Sequence, residues 1–174
     1  MKTIDCIKER RSRRLFTDEE VSDDLINIIL ECGVTAPSSM DCQPWHFVIV
    51  RDKDKQKKIA DLKSDSNQQH ILTAPVTIVV CVDSEKSHSR YIEDGVTATQ
   101  NMLLAIHDLS LGSVYVTGCK ESKPEVAHEI REILNLPEKI IPVTVLPVGY
   151  VDNSEQLENK KLLDISKITH RDEW

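Results

Sequence analysis

The chain has 174 residues, long enough to bury a sizeable core without disulfide or metal staples and within the usual size of one domain, expected here over 1–174. Hydrophobic residues make up 40% and charged residues 29%, with a formal net charge of −7; this is ordinary soluble composition, and its negative surface disfavours nucleic acid and anionic lipid as partners. The five glycines (33, 95, 112, 118 and 149) are too far apart for G-x-G-x-x-G or G-x-x-x-x-G-K-[ST], which excludes the Rossmann fingerprint and the Walker phosphate loop.

In chain order, Thr3 is placed to cap a short helix carrying Ile4 and Ile7, which runs into a basic island of Lys8, Arg10, Arg11, Arg13 and Arg14. Thr17 and Glu20 have capping-box spacing, but a second helix is expected from Ser22, with Asp23 and Asp24 in its first turn. Leu25, Ile28, Ile29 and Cys32 form its apolar stripe and Gly33 its stop. Residues 35–44 read as an ordered loop leading to a strand at 46–50, and 52–62 as a solvated helix with few buried contacts. The segment 63–73 is polar and expected to be mobile. Pro75 introduces an unbroken apolar run at 76–82, the signature of a central strand buried on both faces.

After a polar loop at 83–90, the longest periodic segment, 91–109, predicts a central helix. Its inward stripe is Ile92, Val96, Thr99, Met102, Leu103, Ile106 and Leu109, and Gly112 ends it. Gly95 inside it costs about 1 kcal/mol of helix propensity, so something should pack closely there. A strand at 113–117, a helix at 124–134 opened by Pro124, and a strand at 143–150 preceded by Pro142 follow. The last 24 residues are too polar to fold on themselves and are expected to lie on another subunit. The order of elements points to an α+β, three-layer α/β/α sandwich.

Five cysteines (6, 32, 42, 81 and 119), with no C-x-x-C, read as reduced thiols, and the histidines show no metal-ligand spacing. The N-terminus has no apolar signal core and no run of 18 apolar residues exists, so no membrane span and a cytoplasmic location are expected.

Two segments carry chemistry. In RRSRRLF (10–16), guanidinium forks beside a hydroxyl suit a phosphate or polyhydroxylated ligand; the bland alternative is a solvated basic face. In APSSMDCQPW (36–45), small hydroxyl residues after a proline let the backbone approach a ligand, against the alternative of a plain helix-to-strand connection.

Taken together at this spacing, R-R-S-x-R-x-F, an amphipathic helix and A-P-S-S-x-x-x-Q-P-W-x-F resemble the FMN-dependent nitroreductase family. The resemblance continues through Asp94, Gly95, Ala98, Gln100, Asn101 and Leu104, then LSLGSVYVTG (109–118), VLPVGY (145–150) and Trp174. It implies a central, mainly antiparallel sheet flanked by helices, in a homodimer that exchanges its C-terminal tails and binds two flavins at the interface. Arg10, Arg11 and Ser12 would contact the FMN phosphate and ribityl oxygens, and Arg14 the pyrimidine edge. Pro37, Ser38, Ser39 and Asp41 would approach from the other subunit, with Gln43 supporting that loop or reaching the flavin. Thr117 and Gly118 match the place where backbone faces the reactive edge, and Lys160 or Lys161 would complete the phosphate site.

The implied activity is ping-pong electron transfer from NADH or NADPH through flavin N5 to a small-molecule acceptor: a nitroaromatic, a quinone or a similar flat, electron-poor compound. No side chain is assigned as general acid or base. Asp41 departs from the Asn common in the family and should disfavour the reduced flavin. The short chain leaves little material to cover the pocket. These departures keep open a flavin- or ligand-binding sensor or carrier with little turnover, and a specialised reductive enzyme, as alternatives.

Overall fold

The computed structural model describes residues 2–62, 69–87, 89–119 and 123–174. Among them run α1 (Thr3–Glu9), α2 (Asp23–Val34), β1 (Trp45–Val50), α3 (Lys53–Asp61), α4 (Gln69–Thr73), β2 (Val76–Asp83), α5 (Tyr91–Asp108), β3 (Leu111–Ser113), β4 (Val116–Thr117), α6 (Pro124–Leu134) and β5 (Ile140–Tyr150). The sheet order is β1-β2-β5-β3, with β4 also paired to β5, and every pairing is antiparallel.

Strand periodicity builds the layers. Val76, Ile78 and Val80 of β2 point with Leu146 and Val148 toward Ile26 and Ile29 of α2 and Met102, Leu103 and Ile106 of α5. Val79, Cys81 and Val145 point the other way, toward Ile59, Ile71, Val126 and Ile130 of α3, α4 and α6. The result is the expected α/β/α sandwich, with β2 buried along its whole length.

Local chemistry sets several boundaries. Ser22 Oγ accepts the Leu25 N–H at 3.4 Å, and Asp52 Oδ1 accepts from Asp54 and Lys55 at 2.9 and 3.1 Å. Each satisfies donors that a helix N-terminus leaves open. Pro124 occupies the first turn of α6, and Asn135, at φ 53°, closes that helix in the left-handed region.

Other expectations are corrected. Thr3 is the first residue of α1, not its cap; Lys2 precedes it with no side-chain cap. Thr17 starts no helix, and its Oγ1 accepts the Glu19 N–H at 3.4 Å. On α2, Ile26 is buried and Ile28 is 42% exposed. On α5 the inward face begins with Asp94, Gly95 and Ala98, while Ile92 and Val96 are exposed.

Gly33 does not stop α2. It lies within the helix, where an added Cβ would sit 3.0 Å from Met102 Cγ. Gly112 lies in β3, and α5 ends instead before Ser110, at φ 62°. Of the segment 63–73, residues 63–68 lie outside the described residues, and 69–73 forms α4, which buries His70 and Ile71. The solvated helix α3 also buries Gln56 and Ile59. The predicted 113–117 strand is two, β3 and β4. β5 starts early enough to include Pro142, beside the register shift between Val80 and Cys81; an irregularity there tolerates a residue without an N–H. No disulfide joins any two of the five cysteines, and Cys6 and Cys81 are buried.

Candidate functional site

The basic segment is laid along one end of the sheet. The Arg13 N–H donates to Ser113 O at 2.9 Å, the Thr17 N–H to Tyr150 O at 2.9 Å, and the Asp152 N–H to Leu15 O at 3.0 Å. This holds residues 10–17 between β3 and the exit from β5. Arg10, Arg11, Ser12 and Arg14 form one wall of a cleft of about 430 Å³; Glu155, Gln156, Leu157, Glu158 and Lys160 form the other.

The two walls are joined. Arg11 donates to the Glu158 carbonyl, Lys160 Nζ donates to Lys8 O at 2.9 Å, and the Arg14 N–H donates to Glu155 Oε1 at 2.8 Å. Glu155 also lies 3.6 Å from the Arg13 guanidinium, so Arg13 has a counter-charge while the cleft keeps a cationic lining. Guanidinium forks, an ammonium and a hydroxyl are the donor set that fits a phosphate dianion. Burial, together with the cations of Arg10 and Arg13, holds nearby His107 below its ordinary value against the opposing pull of Glu9 and Asp108. Lys161 is exposed and is not part of the cleft lining.

The loop at 35–44 is held by α5. Thr97 Oγ1 donates to Pro37 O at 3.0 Å, and the Ser39 N–H donates to Asp94 Oδ1 at 2.8 Å. Within the loop, the Gln43 N–H donates to Ser38 Oγ at 3.0 Å and Gln43 Nε2 to Asp41 Oδ1 at 2.9 Å. Gln43 thus orients the Asp41 carboxylate. Met40, Asp41 and Gln43 have φ of 51°, 55° and 44°. Each left-handed residue costs about 1–2 kcal/mol, so these anchoring bonds must hold the loop shape.

At Gly118 the backbones are in close approach. Its N–H donates to Val143 O at 2.7 Å, and an added Cβ would lie 2.9 Å from Pro142 O. Thr117 pairs with Thr144 across β4 and β5.

The structure therefore brings Arg10, Arg11, Ser12, Arg14 and Lys160 together, but not Pro37, Ser38, Ser39, Asp41, Gln43, Thr117 or Gly118 with them. Pro44 O accepts the Asp83 N–H at 2.7 Å, and Asp83 pairs with Ile140. Arg13 bonds Ser113, which pairs with Val148. From Ile140 to Val148 an extended strand rises roughly 26 Å, so the arginine cleft and the 37–43 loop lie toward opposite ends of β5, with Thr117 and Gly118 beside Thr144 and Val143 between them. Sequence reasoning also missed roles for Asp94, which anchors the loop, and Glu155, which joins the cleft walls. A buried carboxylate in the first turn of a helix is visible only once the helix face is known. Among the described residues, no cluster of three or more His, Cys, Asp or Glu could hold a metal, and no helix is long and apolar enough to cross a membrane.

Comparison with known proteins decides the family, because the nitroreductase family model matches residues 7–71 and 62–150. The chain belongs to the nitroreductase family. A Methanothermobacter thermautotrophicus protein carrying the provisional name NADH dehydrogenase/NAD(P)H nitroreductase is 38% identical, covering 100% of this chain and 88% of its own length. The structure of an FMN-dependent nitroreductase from Clostridium difficile superposes with a TM-score of 0.87 at 30% identity, covering 98% of this chain and 99% of its own. FMN reductase [NAD(P)H] of Bacillus subtilis is 27% identical over 98% of this chain and 74% of its own. The family match includes both segments singled out by sequence, 10–16 and 36–45.

Proposed function

We propose that this protein is an FMN-dependent NAD(P)H oxidoreductase acting as a homodimer with two flavin sites. The observation that carries the reading is the cationic cleft of Arg10, Arg11, Ser12, Arg14 and Lys160 in a chain of net charge −7. Its donors suit the phosphate and ribityl oxygens of FMN. When bound, FMN would supply a ring that accepts hydride from NADH or NADPH and passes electrons, in ping-pong order, to a nitroaromatic, a quinone or a similar flat acceptor.

The chain's own residues supply position and charge. Arg10, Arg11, Ser12 and Lys160 grip the phosphate end. The Arg14 guanidinium would lie by the pyrimidine edge of a bound flavin, where it would favour the anionic reduced ring. Thr117 and Gly118 present backbone at the reactive edge. Ser38, Ser39, Asp41 and Gln43 come from a second copy. The roughly 26 Å along β5 between the two groups within one chain supports that division of labour.

The test is an absorption spectrum of the purified protein. A yellow protein, bleached by NADH or NADPH without oxygen and recoloured by a quinone or nitroaromatic, is expected. A colourless protein that cannot be reconstituted with FMN overturns the reading. The Asp41 carboxylate, oriented by Gln43, favours one second reading: a flavin-binding sensor or carrier that binds FMN but oxidises NAD(P)H negligibly against the same acceptors.

A further inference from the structure

The flavin-facing roles leave the buried carboxylate of Asp94 unused. Asp94 is 4% exposed and lies in the first turn of the 18-residue α5, where the helix dipole favours an anion. Both of its oxygens are engaged. Oδ1 accepts the Ser39 N–H at 2.8 Å; Oδ2 accepts from the Ser87 hydroxyl and from Cys42 Sγ at 3.7 Å. One carboxylate thus ties the 35–44 loop, which enters β1, to Ser87, which follows β2 at the same end of the sheet.

The 35–44 loop needs such a tether. Met40, Asp41 and Gln43 are all left-handed, and the bonds from Gln43 to Ser38 and Asp41 are internal to the loop. Thr97 reaches Pro37 at its start. The bonds that tie residues 39–42 to the core go to Asp94. We infer that Asp94 is a positioning residue: by holding the Ser39 N–H and the Cys42 thiol, it fixes the 37–43 loop in the shape that meets the flavin of the partner subunit.

This inference rests on the FMN reading, and its test separates the two. Asp94→Ala removes both acceptors. Asp94→Asn keeps an acceptor for Ser39 and removes the charge. In the full-length protein, Asp94→Ala is expected to lose hydrogen-exchange protection at the Ser39 amide and to weaken riboflavin and FMN by the same factor. That factor should be roughly tenfold or more, as for a lost hydrogen bond to a charged acceptor. Asp94→Asn should restore protection at Ser39 and recover part of the affinity, again by the same factor for both ligands.

Equal loss is the distinguishing signature, since a loop that does not touch phosphate cannot discriminate FMN from riboflavin. If Asp94→Ala does not fold, Ser39→Pro removes the N–H donor together with the hydroxyl, and Ser39→Ala, which removes the hydroxyl alone, is the reference against which its loss is read. Ser38, at φ −132° and ψ 157°, already has the extended backbone that a following proline needs; the same equal loss is expected. Wild-type riboflavin and FMN affinities retained in a folded Asp94→Ala or in Ser39→Pro, or an Ser39 amide still protected in Asp94→Ala, overturn the inference. A wild-type protein that binds no flavin overturns the FMN reading instead, and exchange at Ser39 still decides the tether.

Discussion

Individual side chains divide the proposed site into a phosphate end and a ring end, and ligand pairs can tell them apart. Arg10→Ala should weaken FMN by roughly tenfold or more, the worth of a charge-assisted hydrogen bond, and riboflavin much less. Titration of the apoprotein with both ligands checks this, and equal losses would remove Arg10 from the phosphate. Arg14→Ala should instead lower the flavin midpoint potential. Asp41 acts with the opposite sign. Asn tolerates the left-handed φ of 55° found there and can still accept from Gln43, so Asp41→Asn removes charge and little else. A unit charge a few ångströms from the ring is worth about 1 kcal/mol in water-like surroundings, or roughly 20 mV for a two-electron couple. The potential should rise by about that amount in spectroelectrochemical titration; no rise would mean that the carboxylate does not face the ring.

At the scale of elements, the helices are set as much by what they pack against as by their own patterns. In α5, an added Cβ at Gly95 would lie 2.9 Å from Val143 Cγ2 and 3.0 Å from Val82 Cγ1. Gly95→Ala gains about 1 kcal/mol of helix propensity but overpacks the helix against the sheet at a cost of about 1–3 kcal/mol. Net destabilisation by about 1 kcal/mol is expected in urea unfolding. Short α4 carries a pH dependence. His70 is 6% exposed, and burial, then the Arg14 cation, hold it down to about 4 from 6.5. The unfolded chain therefore binds the proton that the fold refuses. The stability that neutral His70 permits is complete above pH 6.5 and lost as pH falls to about 4, by about 3 kcal/mol. His70→Leu should flatten that slope between urea curves at pH 8 and pH 5. These two elements also mark what could be read from sequence. The Ser22 cap, the apolar run of β2 and the close approach at Gly95 were legible because each is local or has one explanation. The α5 stripe was misread at Ile92 and Val96 because hydropathy cannot show that Asp94 is buried by donors from residues 39, 42 and 87. In sequence Gly33 and Gly112 pass for stops, because a glycine looks the same whether it ends a helix or admits a neighbouring side chain. The arginine island was legible as a donor set; of its facing wall at 155–160, some 150 residues away, Lys160 alone was implied by the family resemblance and the rest needed the fold.

The whole molecule has more apolar surface than one copy can use. Leu162, Leu163, Ile165 and Trp174 are each at least 74% exposed, and Ile4, Ile7, Ile92 and Val96 on α1 and α5 are exposed as well. The tail has local order: Asp164 Oδ1 accepts the Ser166 N–H at 3.0 Å, and His170 stacks on Trp174 at 4.2 Å. Yet its large apolar side chains lie outside the chain's own core clusters. Apolar surface of this kind marks an interaction site, and in a two-fold dimer each such side chain counts twice. A second copy would also bring a 37–43 loop to the cationic cleft, so assembly and cofactor binding should fail together. Substituting Leu162, Leu163 and Ile165 with serine leaves Arg10, Arg11, Ser12, Arg14 and Lys160 untouched. It removes side chains worth about 1.5–3 kcal/mol each when fully buried. Light scattering should then show a monomer at concentrations where the wild type is a dimer, and the purified variant should carry less than roughly a tenth of the wild-type flavin, given the size of that loss. A variant that stays dimeric with full flavin would show that the tail does not bridge the copies. A monomer with full flavin would show that one chain completes the site alone.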